Sequence, residues 1–248
     1  MPERSDSLSP APRFSIVIPV HNEADVLADE VAELTAELEK CSVDYEMLLA
    51  ENGSSDDTLS IGRRLAASNS RIQAFHVDVP DYGAAMKEGM LRARGRLVVN
   101  FDIDYHDVGF MLAAGDLLEE RGAAIVVGSK LMQGAEDKRS PARHVISLGF
   151  TTILRVLFDR RMDDTHGIKV LRKEIVDRFA PRTVMTKDIF DTELIIRARR
   201  AKEVVLALPV TCEEKRKARS SIARRIPRTM KGLLRLRLIL WKEGNARA

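Results

Sequence analysis

Five short runs of apolar, largely β-branched residues alternate with helix-patterned segments over the first half of the chain. The runs are "FSIVIPV" (14–20), "YEMLLAEN" (45–52), "RIQAFHVD" (71–78), "RLVVNFDID" (96–104) and "AAIVVGSK" (123–130). Between the first two, "EADVLADEVAELTAELEK" (23–40) puts Val26, Leu27, Val31, Leu34 and Leu38 on one face at helical spacing. "SSDDTLSIGRRLAAS" offers Ser and Asp as helix caps. "GAAMKEGMLRAR" (83–94) is a helix of small residues that Gly95 ends, and "VGFMLAAGDLLEERG" is another helix. Strand, helix and strand in this order return parallel through a right-handed crossover. The pattern therefore predicts an α/β, Rossmann-like three-layer sandwich with a mostly parallel central sheet.

In such sheets ligands bind beyond the C-terminal ends of the strands. The polar clusters fall at those ends: "HNE", "ENGSSDD", "DIDYHD" and "GSK". If the chain stays extended past Asn100, then Asp102, Asp104 and His106 face one way. Two carboxylates and an imidazole suit a divalent cation. Oxygen ligands favour Mg²⁺ or Mn²⁺, and the histidine leans the set toward Mn²⁺. The bland alternative is a solvated strand end followed by a helix cap at Asp107. "ENGSSDDT" reads equally as a turn and cap, but that leaves Glu51 and Asn52 unexplained; with "PVHNE" they could hydrogen-bond a nucleobase edge. Neither a dinucleotide fingerprint nor a P-loop occurs.

The remainder is less regular. "DKRSPARHVISLGFTTILRVLFDRR" (137–161) is a loop and a long helix, "DDTHGIKVLRKE" (163–174) a turn and short strand, "DTELIIRARRAK" (191–202) a helix and "EVVLALPVTCEE" (203–214) a strand. The net charge is only +3, but about a dozen Lys and Arg lie between Lys215 and Arg247 against Glu243 alone. The tail is broken at Pro227 and continues as a basic helix. Its density of leucine fits a membrane interface, or a helix packed on the core. It lacks the aromatic platform of a nucleic-acid binder. Cys41 and Cys212 match no metal spacing and read as packing residues of a reducing compartment. No apolar run reaches membrane-spanning length, and the first residues lack a secretory signal. The division expected is a disordered lead (1–12), one catalytic domain (13–214) and a basic, partly amphipathic helical tail (215–248).

"SIVIPVHNEADVL", "ENGSSDDT", "GAAMKEGMLRARGRLVVNFDID" and "VVGSK", in that order, resemble the family 2 glycosyltransferases of the GT-A fold. "KRSPARHVISLGF", "DDTHGIKVLRKE" and "FDTELIIRARRAKEVVLALPV" are similar to the branch with dolichyl-phosphate gluco- and mannosyltransferases. The resemblance implies that Pro19, His21, Asn22 and Glu23 bind the nucleotide, with His21 in place of an aromatic. It places Asn52 where the family has a base-reading Asp, followed by Ser54. It implies Asp102 and Asp104 as metal and diphosphate ligands, with His106 where the family has a third ligand. Lys130 takes the place of a phosphate-binding Arg, and Arg143, with Arg139 nearby, that of a second. An acceptor-side motif is replaced by "ARSSI", with Ser220 and Ser221.

The implied reaction is inverting transfer of a hexose from a nucleoside-diphosphate sugar to a polyprenyl phosphate, with Mg²⁺ or Mn²⁺. Lys130 and Arg143 would stabilise phosphate charge. A lipid phosphate is already an anion and needs no general base. A hydroxyl acceptor needs one, and Asp188, Asp191 and Glu193 are the candidates. Such an enzyme is expected in the cytoplasm, at the inner face of the membrane, touching it through residues 224–242. Two other readings stay open: the same fold acting on a soluble hydroxyl acceptor, and an inactive sugar-nucleotide binding protein.

Overall fold

The computed structural model describes residues 10–138, 140–212 and 222–245. In chain order the elements are β1 (Phe14–Val20), α1 (Leu27–Lys40), β2 (Tyr45–Asn52), α2 (Thr58–Ser68), β3 (Ile72–Val77), α3 (Tyr82–Arg92), β4 (Leu97–Asn100), α4 (Val108–Arg121) and β5 (Ile125–Ser129). They continue as β6 (Glu136–Asp137), α5 (Pro141–Leu157), β7 (Lys169–Arg172), α6 (Lys173–Phe179), α7 (Phe190–Arg200), β8 (Val205–Pro209), β9 (Thr211–Cys212) and α8 (Ile222–Asn245).

Seven strands form one sheet in the order β3-β2-β1-β4-β7-β5-β8. Only β7 runs antiparallel, between β4 and β5. The two faces bury separate apolar clusters. One joins Ile16, Ile18, Val99 and Val170 to Leu34 of α1 and Met111 of α4. The other joins Val17, Leu48, Val98 and Leu171 to Met86 of α3, Leu154 of α5, Leu194 of α7 and Leu236 of α8. Alternate residues of β1 and β4 serve opposite faces, so a strand buried on both sides is apolar throughout. This is the expected three-layer α/β sandwich.

Several details differ from the sequence expectation. The strand read as 96–104 ends at Asn100, because Asp102 and Tyr105 exchange backbone hydrogen bonds across a tight turn. The helix read from residue 23 begins at Leu27, because residues 21–26 form a turn in which Asn22 takes φ 55°. Cys41 is exposed at the end of α1 rather than packed, while Cys212 is buried. Pro227 does not break the tail: α8 runs through it. A helical proline forfeits one backbone bond to the preceding turn, and α8 is anchored elsewhere. Leu233, Leu236 and Leu240 enter the second core, and Arg197 holds Glu243 through two hydrogen bonds of 2.9 and 3.0 Å. The expected disordered lead falls outside the described residues up to residue 9, as do Arg139, Ser220 and Ser221.

Candidate active site

The C-terminal ends of β1 and β2 form one hydrogen-bonded unit. Asn22 donates its backbone N–H to Ser54 Oγ at 3.0 Å and accepts at Oδ1 from the Ser55 N–H at 2.8 Å. The Glu23 N–H donates to Thr58 Oγ1, and His21 Nδ1 donates to the Asn52 carbonyl at 2.8 Å. Pro19 precedes this unit in β1, half-buried. The buried Asn52 amide, oriented to satisfy both its ends, donates to the Val20 carbonyl and accepts from the Asp81 N–H. Both ends of that amide are therefore engaged by the backbone. The residues expected to bind nucleotide are thus brought together, with Asn52 as a brace within them.

Glu51 underlies this unit. It is almost fully buried, pairs with His76 and accepts from the Ser54 N–H at 2.5 Å. Burial pushes its carboxyl up, but the hydrogen bonds from His76 and Ser54 outweigh that and hold it below its ordinary 4.5. A depressed folded value contributes stability above the unfolded pKa, and that stability is lost as pH falls through the folded one. Glu51→Gln is therefore expected to cost more stability at about pH 6 than at about pH 3.5. Urea unfolding at both pH values checks this; an equal cost contradicts it.

Asp102 and Asp104 lie on the turn that follows β4, both half-buried. Burial and the Asp104 carboxylate push the Asp102 carboxyl up to about 6. Lys169 and Lys130 pull it down, and Asp191 pushes it up. These five charges therefore share one site at the crevice end of the sheet. A buried carboxylate whose proton affinity is raised by a second one beside it is short of positive charge, and the oxygens of the pair fit a hard divalent cation. Among the described residues no three His, Cys, Asp or Glu side chains assemble as a metal cluster. The one-sided array expected of Asp102, Asp104 and His106 required an extended strand, and the turn removes that geometry. His106 instead lies beside Phe101, with ring centroids 6.4 Å apart. Asp107 is the cap of α4, accepting from the Phe110 N–H at 2.7 Å.

Beside the acid pair, Lys130 is nearly buried and its Nζ lies 3.1 Å from Asp164 Oδ2. Burial pushes Asp164 up, but Lys130 and His166 prevail and hold it below its ordinary value. Ser129 Oγ donates to Asp163, which locks the same loop to the end of β5. Gly167 must be glycine here, because a Cβ would meet the Gly128 carbonyl at 2.5 Å. Arg143 occupies the first turn of α5, half-buried, and is not among the charges acting most on Asp102. Glu193 is fully buried, bonded to Arg197 and to the Val184 and Met185 N–H groups. That makes it a structural brace. The side chain of Asp188 lies outside the described residues.

Asp191, in the first turn of α7, accepts at Oδ2 from Lys169 Nζ at 3.0 Å and from Asn100 Nδ2 and Tyr82 Oη, each at 3.3 Å. Lys169 is 1% exposed. Burial, Asp191 and Asp102 push the Tyr82 phenol well above its ordinary value, so it stays a donor. Sequence reasoning missed Lys169, Asn100, Tyr82 and Asp164. A signal existed for two of them: Asn100 closes "LVVN" and Lys169 opens "KVLR", each a lone polar residue at the crevice end of an apolar strand.

The seven-stranded, mostly parallel α/β sheet, with an acid pair, fixed cations and a hydrogen-bonded loop pair at its strand ends, has the GT-A fold. The Glycosyl transferase family 2 model matches residues 15–179, and the chain belongs to that family. Glycosyltransferase AglD of Haloferax volcanii is 28% identical over 217 residues, covering 86% of this chain and 35% of that protein. A dolichyl-phosphate beta-glucosyltransferase of Trichomonas vaginalis is 26% identical over 216 residues, covering 81% of this chain and 64% of its own length. The chain thus spans between about a third and just under two thirds of these relatives. Among solved structures, glucosyl-3-phosphoglycerate synthase from Mycobacterium tuberculosis, in complex with Mn²⁺, uridine diphosphate and glucosyl-3-phosphoglycerate, superposes with a TM-score of 0.66. It is 18% identical and covers 91% of this chain and 80% of that one.

Proposed function

We propose that this protein transfers a hexose from a nucleoside-diphosphate sugar to a polyprenyl phosphate, with inversion at the anomeric carbon. The observation that carries the reading is the cluster of charged and hydrogen-bonded residues at the strand ends. Asp102 and Asp104 stand at one strand end with Lys130 and Lys169 beside them, and the Asn22–Ser54 unit closes the neighbouring strand ends. Such a cluster offers hydrogen-bonding groups to a nucleotide and charge to a diphosphate. The relatives named as dolichyl-phosphate glucosyltransferases support a lipid-phosphate acceptor.

In this reading His21, Asn22, Glu23 and Ser54 hold the nucleoside end. Asp102 and Asp104 would hold a Mg²⁺ or Mn²⁺ ion, with its remaining oxygens supplied by the donor diphosphate. The ion, when bound, offsets charge on the leaving diphosphate. Lys130, oriented by Asp164, adds a fixed cation to the same phosphates, and Arg143 meets the acceptor phosphate. The acceptor oxygen attacks as an anion, so no side chain has to remove a proton.

A membrane-bound acceptor needs a protein that reaches the bilayer. No helix among the described residues is long and apolar enough to cross one. However, α8 carries two apolar stripes. Leu233, Leu236 and Leu240 face the core, while Ile226, Leu234, Leu238 and Trp241 are exposed, with exposed Lys231, Arg235 and Lys242 among them. That composition suits an interfacial contact on anionic lipid.

A second reading keeps the donor and changes the acceptor to a soluble phosphorylated hydroxy acid. It is favoured by the fold likeness to the phosphoglycerate enzyme and by Asp191, a buried carboxylate at the same strand ends. Incubation with Mn²⁺, a panel of labelled sugar nucleotides, and either polyprenyl phosphate in anionic vesicles or 3-phosphoglycerate separates the two. Label in the lipid phase is expected; label on the soluble acceptor alone transfers the conclusion to the second reading.

A further inference from the structure

At the far end of α7 from Asp191, the last turns of α6, α7 and α8 border a cavity of about 230 Å³. Arg178, Arg182, Arg197 and Arg200 line it, and Glu243 is the acid among its lining residues. Asp191 opens α7 and Arg200 ends it, so the cavity lies about 14 Å along that helix from the proposed donor site. Part of the positive charge is already in use. Carbonyls at helix C-termini are partly negative, and Arg200 Nη2 donates to the Leu240 carbonyl at 3.0 Å. The buried Arg197 holds Glu193 through Nε and Glu243 through its two other nitrogens. Arg178 pairs with Glu203 at 2.6 Å and lies over the Phe179 ring. The rest is uncommitted. Arg182 is exposed and has no hydrogen-bond or ion-pair partner among the described residues. A guanidinium carries five N–H donors, and Arg178 and Arg200 each make one hydrogen bond among the described residues. Even with Glu193 and Glu203 counted beside Glu243, four guanidiniums face three carboxylates. Arg200 also borders a smaller cavity, with Arg199 and Arg237 against Asp159, which extends the positive strip.

We infer that this cavity binds a phosphate-bearing anion through Arg178, Arg182 and Arg200. The site is separate from the strand-end site and does not depend on how that site is read. The chemistry selects phosphate. The planar guanidinium fork matches two phosphate oxygens at once, and several forks around one cavity suit a tetrahedral anion. The volume is below the ~300–1,000 Å³ of pockets for drug-sized ligands, so the occupant is a phosphate monoester with a small substituent rather than a whole nucleotide. Two sources supply such a group: a small soluble phosphate ester, or the head group of an anionic lipid. The second is compatible with α8, which exposes Leu238 and Trp241 on the same turns that bring Leu240 and Glu243 to the cavity. From either source, the bound anion adds a tie between α6, α7 and the end of α8 to the one that Arg197 and Glu243 already make.

The test has a soluble arm and a lipid arm, both in EDTA and at constant ionic strength. EDTA withholds the metal on which phosphate binding at the strand ends is proposed to depend. In the first arm, inorganic phosphate and glycerol 3-phosphate are titrated into the full chain by calorimetry. In the second, binding to phosphatidylcholine vesicles with and without phosphatidic acid is measured by sedimentation. Arg182→Ala is the main variant, because an exposed side chain without a partner can be removed with the fold intact. Arg63→Ala, on the exposed side of α2, is the control for an equal change of net charge elsewhere. Arg182→Ala is expected to lower affinity about tenfold in the arm where wild type binds, and Arg63→Ala to change it less than about twofold. Glu243→Gln removes the acid of the lining and should raise affinity about threefold. A selective loss in the soluble arm assigns a soluble ester, and a selective loss confined to vesicles with phosphatidic acid assigns a lipid head group. Equal losses from Arg182→Ala and Arg63→Ala overturn the inference, since they report net charge alone. So does wild-type binding in neither arm, or binding that Arg182→Ala leaves unchanged in both.

Discussion

Asp104→Ala is expected to lower hexose transfer by about 10³-fold while leaving the fold intact. The carboxylate lies on the turn after β4, and that turn is closed by backbone bonds between Asp102 and Tyr105, which the substitution does not touch. What would disappear is one of the two carboxylates proposed to hold the divalent ion. Nucleoside-diphosphate affinity in Mn²⁺ should therefore fall toward its value in chelator, and the melting temperature without metal should not fall. That stability follows from Asp104 itself, whose negative charge is the second-largest cause of the raised Asp102 carboxyl at about 6. Removing a like charge relieves the folded state rather than straining it. Transfer assays and melting curves with and without Mn²⁺ check both halves. Full activity in this variant would remove the acid pair from the mechanism.

Lys169→Met is expected to be among the most damaging single substitutions to stability. Lys169 is 1% exposed and Asp191 5%, so the change leaves a buried carboxylate without its cation. Breaking such a pair from one side costs about 3–5 kcal/mol, because the remaining charge stays desolvated. Lys169→Met combined with Asp191→Leu removes both charges and should recover most of the loss. Urea unfolding of the two single variants and the double one measures the coupling. A cost under about 1 kcal/mol for Lys169→Met would show that the pair is far better solvated than its burial indicates.

The sheet was legible because its central parallel strands β1, β2 and β4 are buried on both faces and each is followed by a helix. Val17 and Ile18, or Val98 and Val99, serve opposite cores, and a continuous apolar run records that directly. The ends of β1 and β2 were legible as turn and cap sequences, although the pairing of Asn22 with Ser54 and Ser55, 32 and 33 positions away, was not. What the residues could not disclose was where local turns override a period. "FDID" has the spacing of a strand, yet Asp102 and Tyr105 close a turn across it. Long-range pairing was equally hidden. Lys130 and Asp164 are 34 positions apart, and Lys169 meets Asn100 only because β7 inserts antiparallel between β4 and β5. Cys41 looked like a packing residue by type, but the helix ends there and turns it to solvent.

We propose that the strand ends form a metal-assisted sugar-nucleotide site built on Asp102 and Asp104. Calorimetric titration of wild type and of Asp102→Asn with the sugar-nucleotide panel, each in Mn²⁺ and in EDTA, tests it most directly. Wild type should bind one sugar nucleotide in Mn²⁺ and lose about tenfold or more in EDTA, while Asp102→Asn should bind weakly in both. Equal binding by wild type with and without metal, or equal binding by the two proteins in Mn²⁺, would contradict it.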